Sequence, residues 1–274
     1  MKDSFDDPPP VPPGERASLP DGLRFAFGTL TVLPARITRW DRPAARTGMA
    51  CAPVVGLAVG LLAAVPGVLL LLLGGGPLLA AAVTVAVPAA LTRGLHLDGL
   101  ADTADGLGSA KPADAALRIM KQSDIGPFGV IALLIVLLVQ TAALADVYAD
   151  SWVRGALAGV AAAVAARLAM TLASREGVPA ARPEGLGAAV AGVVPSRTAL
   201  AVTGLVTAAA ALAALPLGGL PTALQYAVSV LAALAAAELL LRRCVRRFGG
   251  VTGDVFGAVC EVAATTALVL LALG

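Results

Sequence analysis

Seven stretches of the chain, at roughly 51–73, 77–93, 127–149, 153–173, 198–216, 222–241 and 254–273, are each about twenty residues long and nearly free of charge. A helix needs ~20 apolar residues to cross the hydrocarbon core of a bilayer. Runs of this length and number predict an all-α polytopic membrane protein with about seven transmembrane helices. The composition agrees, with 58% hydrophobic and only 14% charged residues and a mean hydropathy of +0.86, far above soluble domains. Breaks fall at Gly74-Gly75-Gly76-Pro77, between Pro216 and Pro221, and at Gly249-Gly250. Residues 1–22 are acidic and proline-rich, which predicts a disordered tail rather than a signal peptide. Leu23 to Leu33 is apolar but too short to span; with Pro34, Arg36, Arg39, Arg42 and Arg46 behind it, it reads as an interfacial or re-entrant helix. Residues 23–274 then form one integral-membrane domain. Cys51, Cys244 and Cys260 are too scattered for a disulfide framework or a zinc site. Trp40, Trp152 and Tyr148 are the few candidate interface anchors.

The basic residues orient these spans. With seven crossings, all of the 20 Lys and Arg except Arg154 and Arg167 fall on one side, before the first span or after the second, fourth and sixth. By the positive-inside rule that side, with the N-terminus, is cytoplasmic. The opposite connections are very short and carry no Lys or Arg, so loops long enough to hold a site exist only on the cytoplasmic face.

The polar motifs gather on that face. In Gly94-Leu-His-Leu-Asp-Gly-Leu-Ala-Asp-Thr-Ala-Asp-Gly-Leu-Gly108, the aspartates 98, 102 and 105 are spaced four and three apart. At about 100° per residue a helix holds all three within a roughly 60° sector. Burying such carboxylates together is costly, ~2.5–3.5 kcal/mol each at a bilayer centre. A divalent cation relieves that cost, and oxygen-only ligands favour Mg²⁺ or Mn²⁺. Asp98, Asp102 and Asp105 are therefore the expected metal ligands. His96, the single histidine, is a candidate base or ligand two residues before Asp98. After the aspartates, Lys121 and Ser123 are placed to hold phosphate oxygens. Arg167, inside the fourth span, is a functional candidate because intramembrane arginines usually are. A second acidic motif, Gly249-Gly-Val-Thr-Gly-Asp254 through Glu261, puts Asp254 at the start of the last span and Glu261 two turns deeper on the same face. A carboxylate-bound metal with dispersed Arg and Lys suits phosphoryl transfer, in which a carboxylate deprotonates an attacking hydroxyl. No Walker-type nucleotide loop exists, so the substrate must bring its own activated phosphate.

These motifs resemble the cobalamin synthase family, adenosylcobinamide-GDP ribazoletransferase. The resemblance rests on His96-Leu-Asp-Gly-Leu-Ala-Asp-Thr-Ala-Asp-Gly106, on Ile119-Met-Lys before Ile125-Gly-Pro-Phe-Gly129, on Arg182 with Glu184-Gly-Leu-Gly187, and on Gly249-Gly-Val-Thr-Gly-Asp254 with Gly257 and Glu261. It covers nearly the whole chain after residue 22 and departs at Gln122 and Asp124, where many members have Asp and Arg. It implies a Mg²⁺-dependent enzyme of the cytoplasmic membrane acting last in cobamide assembly. A ribose hydroxyl of α-ribazole, or of its 5′-phosphate, attacks the phosphoryl group attached to cobinamide in adenosylcobinamide-GDP, and GMP leaves. Asp98, Asp102, Asp105, Asp254 and His96 are then the expected catalytic residues. Lys121, Ser123, Arg167, Arg182, Glu184, Thr252 and Glu261 are the expected substrate contacts. Membrane lipid is the surrounding partner, no nucleic acid is expected, and a homo-oligomer is left open.

Two other classes compete. A CDP-alcohol phosphotransferase would carry Ala-Arg two residues after its first Asp-Gly, where this chain has Leu100-Ala101-Asp102. A cation transporter would need polar groups toward both faces, whereas the outer halves of the second, third and seventh spans are almost wholly apolar.

Overall fold

A computed structural model describes residues 17–273, and the described residues form eleven helices with no strand. Of the tail expected over residues 1–22, residues 1–16 lie outside the described residues. A helix begins inside its last part: α1 (Leu19–Leu30) starts because the Ser18 hydroxyl accepts from Asp21 N while the Asp21 carboxylate accepts from Ser18 N. α2 (Arg42–Ala50) follows, capped by Asp41. Arg42 and Arg46 do more than flank the membrane, since their guanidinium groups donate to the carbonyls of Ala191 and Val193.

The apolar runs fold into α3 (Ala52–Leu72), α4 (Pro77–Leu91), α7 (Pro127–Asp150), α8 (Trp152–Ala173), α10 (Ser196–Phe248) and α11 (Gly253–Ala272). Five of these, all but α4, are long and apolar enough to cross a membrane. The tally becomes six if α4 and α5 (Leu95–Gly108) are one broken span. The expected count of seven differs in two places. α4 is only 15 residues long, and Arg93 (φ 52°) and Gly94 (φ 72°) turn the chain so sharply that α5 lies at 88° to it. At that angle α5 lies across one end of the bundle, against the first turns of the helices that begin at Pro127 and Gly253. The two spans expected at 198–216 and 222–241 are continuous in α10, except that the backbone leaves the helix at Gly218 (φ −174°) and Gly219 (φ 69°). Ser196 N donates to Glu176, and Glu238 pairs with Arg175 at 2.8 Å. Both ends of α10 therefore meet the same end of α8, and the chain reverses at the glycine pair.

Short helices α6 (Ala113–Ile119) and α9 (Leu186–Val190) lie in the loops on the end of the bundle that carries the acidic motifs. The Arg182 side chain donates to Leu117 O and Arg247 to Lys111 O, stitching those loops together. Trp40 and Trp152 are well exposed, as interface anchors should be. Tyr148, the third expected anchor, is buried instead, with its hydroxyl 3.1 Å from Thr84 Oγ1. An interior hydrogen-bond partner outweighed the wet interface.

Candidate active site

α5 lies along the first turns of α11, and glycines set the spacing. A Cβ on Gly99 would come 2.6 Å from Asp254 O, and one on Gly257 would come 2.8 Å from His96 O. Backbones this close bring the two acidic motifs, far apart in sequence, side by side. Asp98 is exposed, and Asp102 and Asp254 are partly so. Thr252 caps α11 by accepting from Val255 N and donates to Asp254 Oδ2 at 3.1 Å. Arg182 supplies positive charge near Asp102 and Asp254. On α5, outside the spans, burial and the neighbouring Asp254, Asp98 and Asp105 carboxylates push Asp102 up to about 7. Clustered carboxylates relieve their repulsion by holding a proton or a cation.

Two cavities open beside these carboxylates, and Leu95 and Asp98 border both. The larger, about 750 Å³, lies among α1, α5 and the segment before α7, with Asp98 and Asp102 on its wall. The smaller, about 260 Å³, lies among α5, α8, the loop carrying α9 and the start of α11, with Arg182, Glu184, Thr252 and Asp254 on its wall. Ser123 borders the larger cavity. Lys121 stands outside both linings, with Nζ 3.6 Å from Glu184 Oε1.

Several expected site residues are placed differently. Asp105 is almost buried, and its carboxylate accepts from Gly126 N (2.8 Å) and Gly129 N (2.9 Å). It caps the start of α7, using its charge on unpaired helix amides rather than in the open cleft. Arg167 and Glu261, expected at the substrate, lie in the interior around a void of about 50 Å³. There Gln140 Nε2 donates to Glu261 Oε2 (2.9 Å) and to Thr265 Oγ1 (3.0 Å). Arg167 Nη2 approaches His96 Nδ1 at 3.4 Å. A guanidinium can only donate, so Nδ1 is the acceptor and the His96 proton sits on Nε2, which is buried without a partner. The ring then has no free lone pair for a substrate proton, and we assign His96 to holding α5 rather than to base catalysis.

His96, Cys260 and Glu261 are the group of three potential metal-ligating residues, among the described residues, whose donor atoms come within 4.8 Å of one another. The same tautomer argument, with the Arg167 charge alongside, makes this interior group a poor cation site. Asp98, Asp102 and Asp254 do not converge so tightly: Asp98 and Asp102 border the larger cavity, and Asp98 and Asp254 the smaller. That suits Mg²⁺, which is usually held by one or two carboxylates with waters and substrate phosphates rather than by an all-protein cage.

Residues that motif reading passed over also line the larger cavity, among them Thr29, Thr92, Arg93 and Gln122. The one local signal was Arg93, a non-glycine residue at positive φ beside Gly94, and a backbone angle is not visible in a sequence.

Comparison with known proteins identifies the family. The family model for cobalamin-5-phosphate synthase matches residues 22–272. An adenosylcobinamide-GDP ribazoletransferase of Frankia casuarinae is 45% identical, covering 91% of this chain and 94% of its own. Proteins of the same name from Nocardioides sp. (41% identical; 90% and 96%) and Bradyrhizobium diazoefficiens (37% identical; 86% and 87%) match over similar extents. No solved structure matches. A family match over nearly the full described length, with relatives up to 45% identical over most of both chains, means that this chain belongs to the cobalamin-5-phosphate synthase family.

Proposed function

We propose that this protein is a Mg²⁺-dependent adenosylcobinamide-GDP ribazoletransferase of the cell membrane. It joins adenosylcobinamide-GDP to α-ribazole, or its 5′-phosphate, and yields adenosylcobalamin, or its 5′-phosphate, and GMP. The observation that carries this reading is that α5, with Asp98 and Asp102, lies against the start of α11, with Asp254, and that Asp98 borders the cavities on both sides, in a chain of this family. Mg²⁺ held by Asp98 and Asp102 would offset repulsion between these carboxylates and the diphosphate and polarise the phosphoryl group. Asp254, hydrogen-bonded to Thr252, is the residue positioned to accept the proton of the ribose hydroxyl. The oxygen forms a bond to the phosphorus attached to cobinamide, the anhydride P–O bond breaks, and its electron pair leaves with GMP. Arg182 balances the charge of the cleft. No ATP is required, because the anhydride supplies the driving force.

The one-sided distribution of Lys and Arg supports a cytoplasmic N-terminus and a cleft facing the cytoplasm. Counting the two halves of α10 separately and α4 as a short span gives seven crossings.

The protein purified in detergent, given both substrates and Mg²⁺, should release GMP and form the complete corrinoid in equal amounts. Chelation should stop the reaction, and Asp98→Asn or Asp102→Asn should abolish it at normal protein abundance. Absence of GMP with any ribazole acceptor, together with turnover of CDP-linked alcohols, would sink this reading. Near-full activity of both variants at limiting Mg²⁺ would sink the metal assignment.

A further inference from the structure

Asp98 stands between two cavities of different size and lining. A transferase with a single enlarged cleft would not need this partition. Resting on the transferase reading, we propose that each substrate has its own cavity. The larger takes the guanosine diphosphate end of the donor, and the smaller takes the α-ribazole acceptor, so that the reacting phosphoryl and hydroxyl groups meet over Asp98.

Size favours this assignment. Pockets for drug-sized ligands run ~300–1,000 Å³; the larger cavity, at about 750 Å³, lies within that range, whereas the smaller, at about 260 Å³, falls just below it. The smaller thus suits a single nucleoside and not a dinucleotide-sized donor. The corrin macrocycle exceeds either cavity and must stay at the mouth of the larger one.

Chemistry points the same way. The larger cavity presents Arg93, Gln122 and Ser123, whose guanidinium, amide and hydroxyl can donate, whereas the hydroxyls of Thr29, Thr31 and Thr92 already donate to carbonyls of the preceding turn and offer only lone pairs. These groups suit phosphate oxygens and a purine edge. The smaller cavity is walled by Met170, Leu186 and Phe256, which suit a flat apolar aryl base, and by Glu184 and Asp254. Glu184 and Asp254 can accept hydrogen bonds from ribose hydroxyls, and Arg182 beside them can donate to a ribose oxygen. Asp254 thereby faces the nucleophile, while Asp98 and Asp102 face the diphosphate.

Inhibition by the product GMP, measured on the wild-type protein, tests the partition. GMP should compete with adenosylcobinamide-GDP and be noncompetitive toward α-ribazole. Leu186→Trp, which fills the smaller cavity, should raise the KM for α-ribazole about tenfold or more while the donor KM stays within about twofold. Arg93→Ala with Ser123→Ala should do the reverse. Competition of GMP with both substrates, or a parallel rise of both KM values in Leu186→Trp, would overturn the two-cavity assignment. If Leu186→Trp fails to fold, Arg93→Ala with Ser123→Ala still decides, because an unchanged donor KM in it would overturn the assignment. A wild-type protein that releases no GMP refutes the transferase reading itself, an outcome distinct from these.

Discussion

Asp105 shows how one residue can share a motif with its neighbours and still have a different task. Its carboxylate accepts two amides at the start of α7, whereas Asp98 and Asp102 border open space. Removing it leaves those amides unpaired at a largely dry site, a cost of about 1–3 kcal/mol for each unsatisfied group. Asp105→Ala should therefore lower the unfolding temperature in detergent, while the Mg²⁺ concentration needed for half-maximal activity stays near that of the wild type. Asp102→Asn should keep the wild-type unfolding temperature and lose activity at every Mg²⁺ concentration, since neutralising a carboxylate that burial and like charges already push up to about 7 does not destabilise the fold. A thermal-shift measurement alongside a Mg²⁺ titration separates the two. An unchanged melting temperature with a raised Mg²⁺ requirement in Asp105→Ala would return that residue to the ligand set.

Between elements, the decisive contact is α5 against α11. It depends on side chains that are missing: a Cβ on Gly99 would press on the Asp254 backbone at 2.6 Å. Overpacking of this kind costs about 1–3 kcal/mol, and relieving it by separating the helices would pull Asp254 away from Asp98 and Asp102. Misplacing reacting groups by about 1 Å can cost ~10²-fold in rate. Gly99→Ala should thus reduce kcat by tenfold or more, on the order of that estimate, with protein abundance only modestly affected. Gly204→Ala on α10, where nothing lies within 4 Å of the added Cβ, should leave both unchanged. Equal activity of the two variants would show that the α5–α11 spacing is not critical.

For the molecule as a whole, the proposed topology places the α5–α6 loop and the start of α10 inside, and the α7–α8 turn and the Gly218–Gly219 reversal outside. Single cysteines at Pro112 and Arg197, in a background lacking Cys51, Cys244 and Cys260, should resist an impermeant thiol reagent in intact cells. Cysteines at Asp150 and Gly219 should react. All four positions are exposed, so accessibility depends on the side of the membrane. Labelling at Pro112 from outside would invert the assignment, and protection at Gly219 would make α10 a helix that does not reverse across the bilayer.

Apolar runs, the one-sided Lys and Arg, and the periodic aspartates of α5 are local properties of the chain. They depend on the bilayer's thickness, on insertion and on the helical repeat, and so the membrane class, the polar face and the candidacy of Asp98, Asp102 and Asp254 could be read without coordinates. The sharing of labour among equally polar residues could not, because it is set by what each side chain meets from elsewhere in the chain. Asp105 met the amides of Gly126 and Gly129. His96 met Arg167, which itself turned inward toward the interior that Glu261 shares with Gln140. The turn at Arg93 and Gly94 swung α5 across the end of the bundle and opened two cavities on either side of Asp98, a division that no periodicity in the sequence encodes.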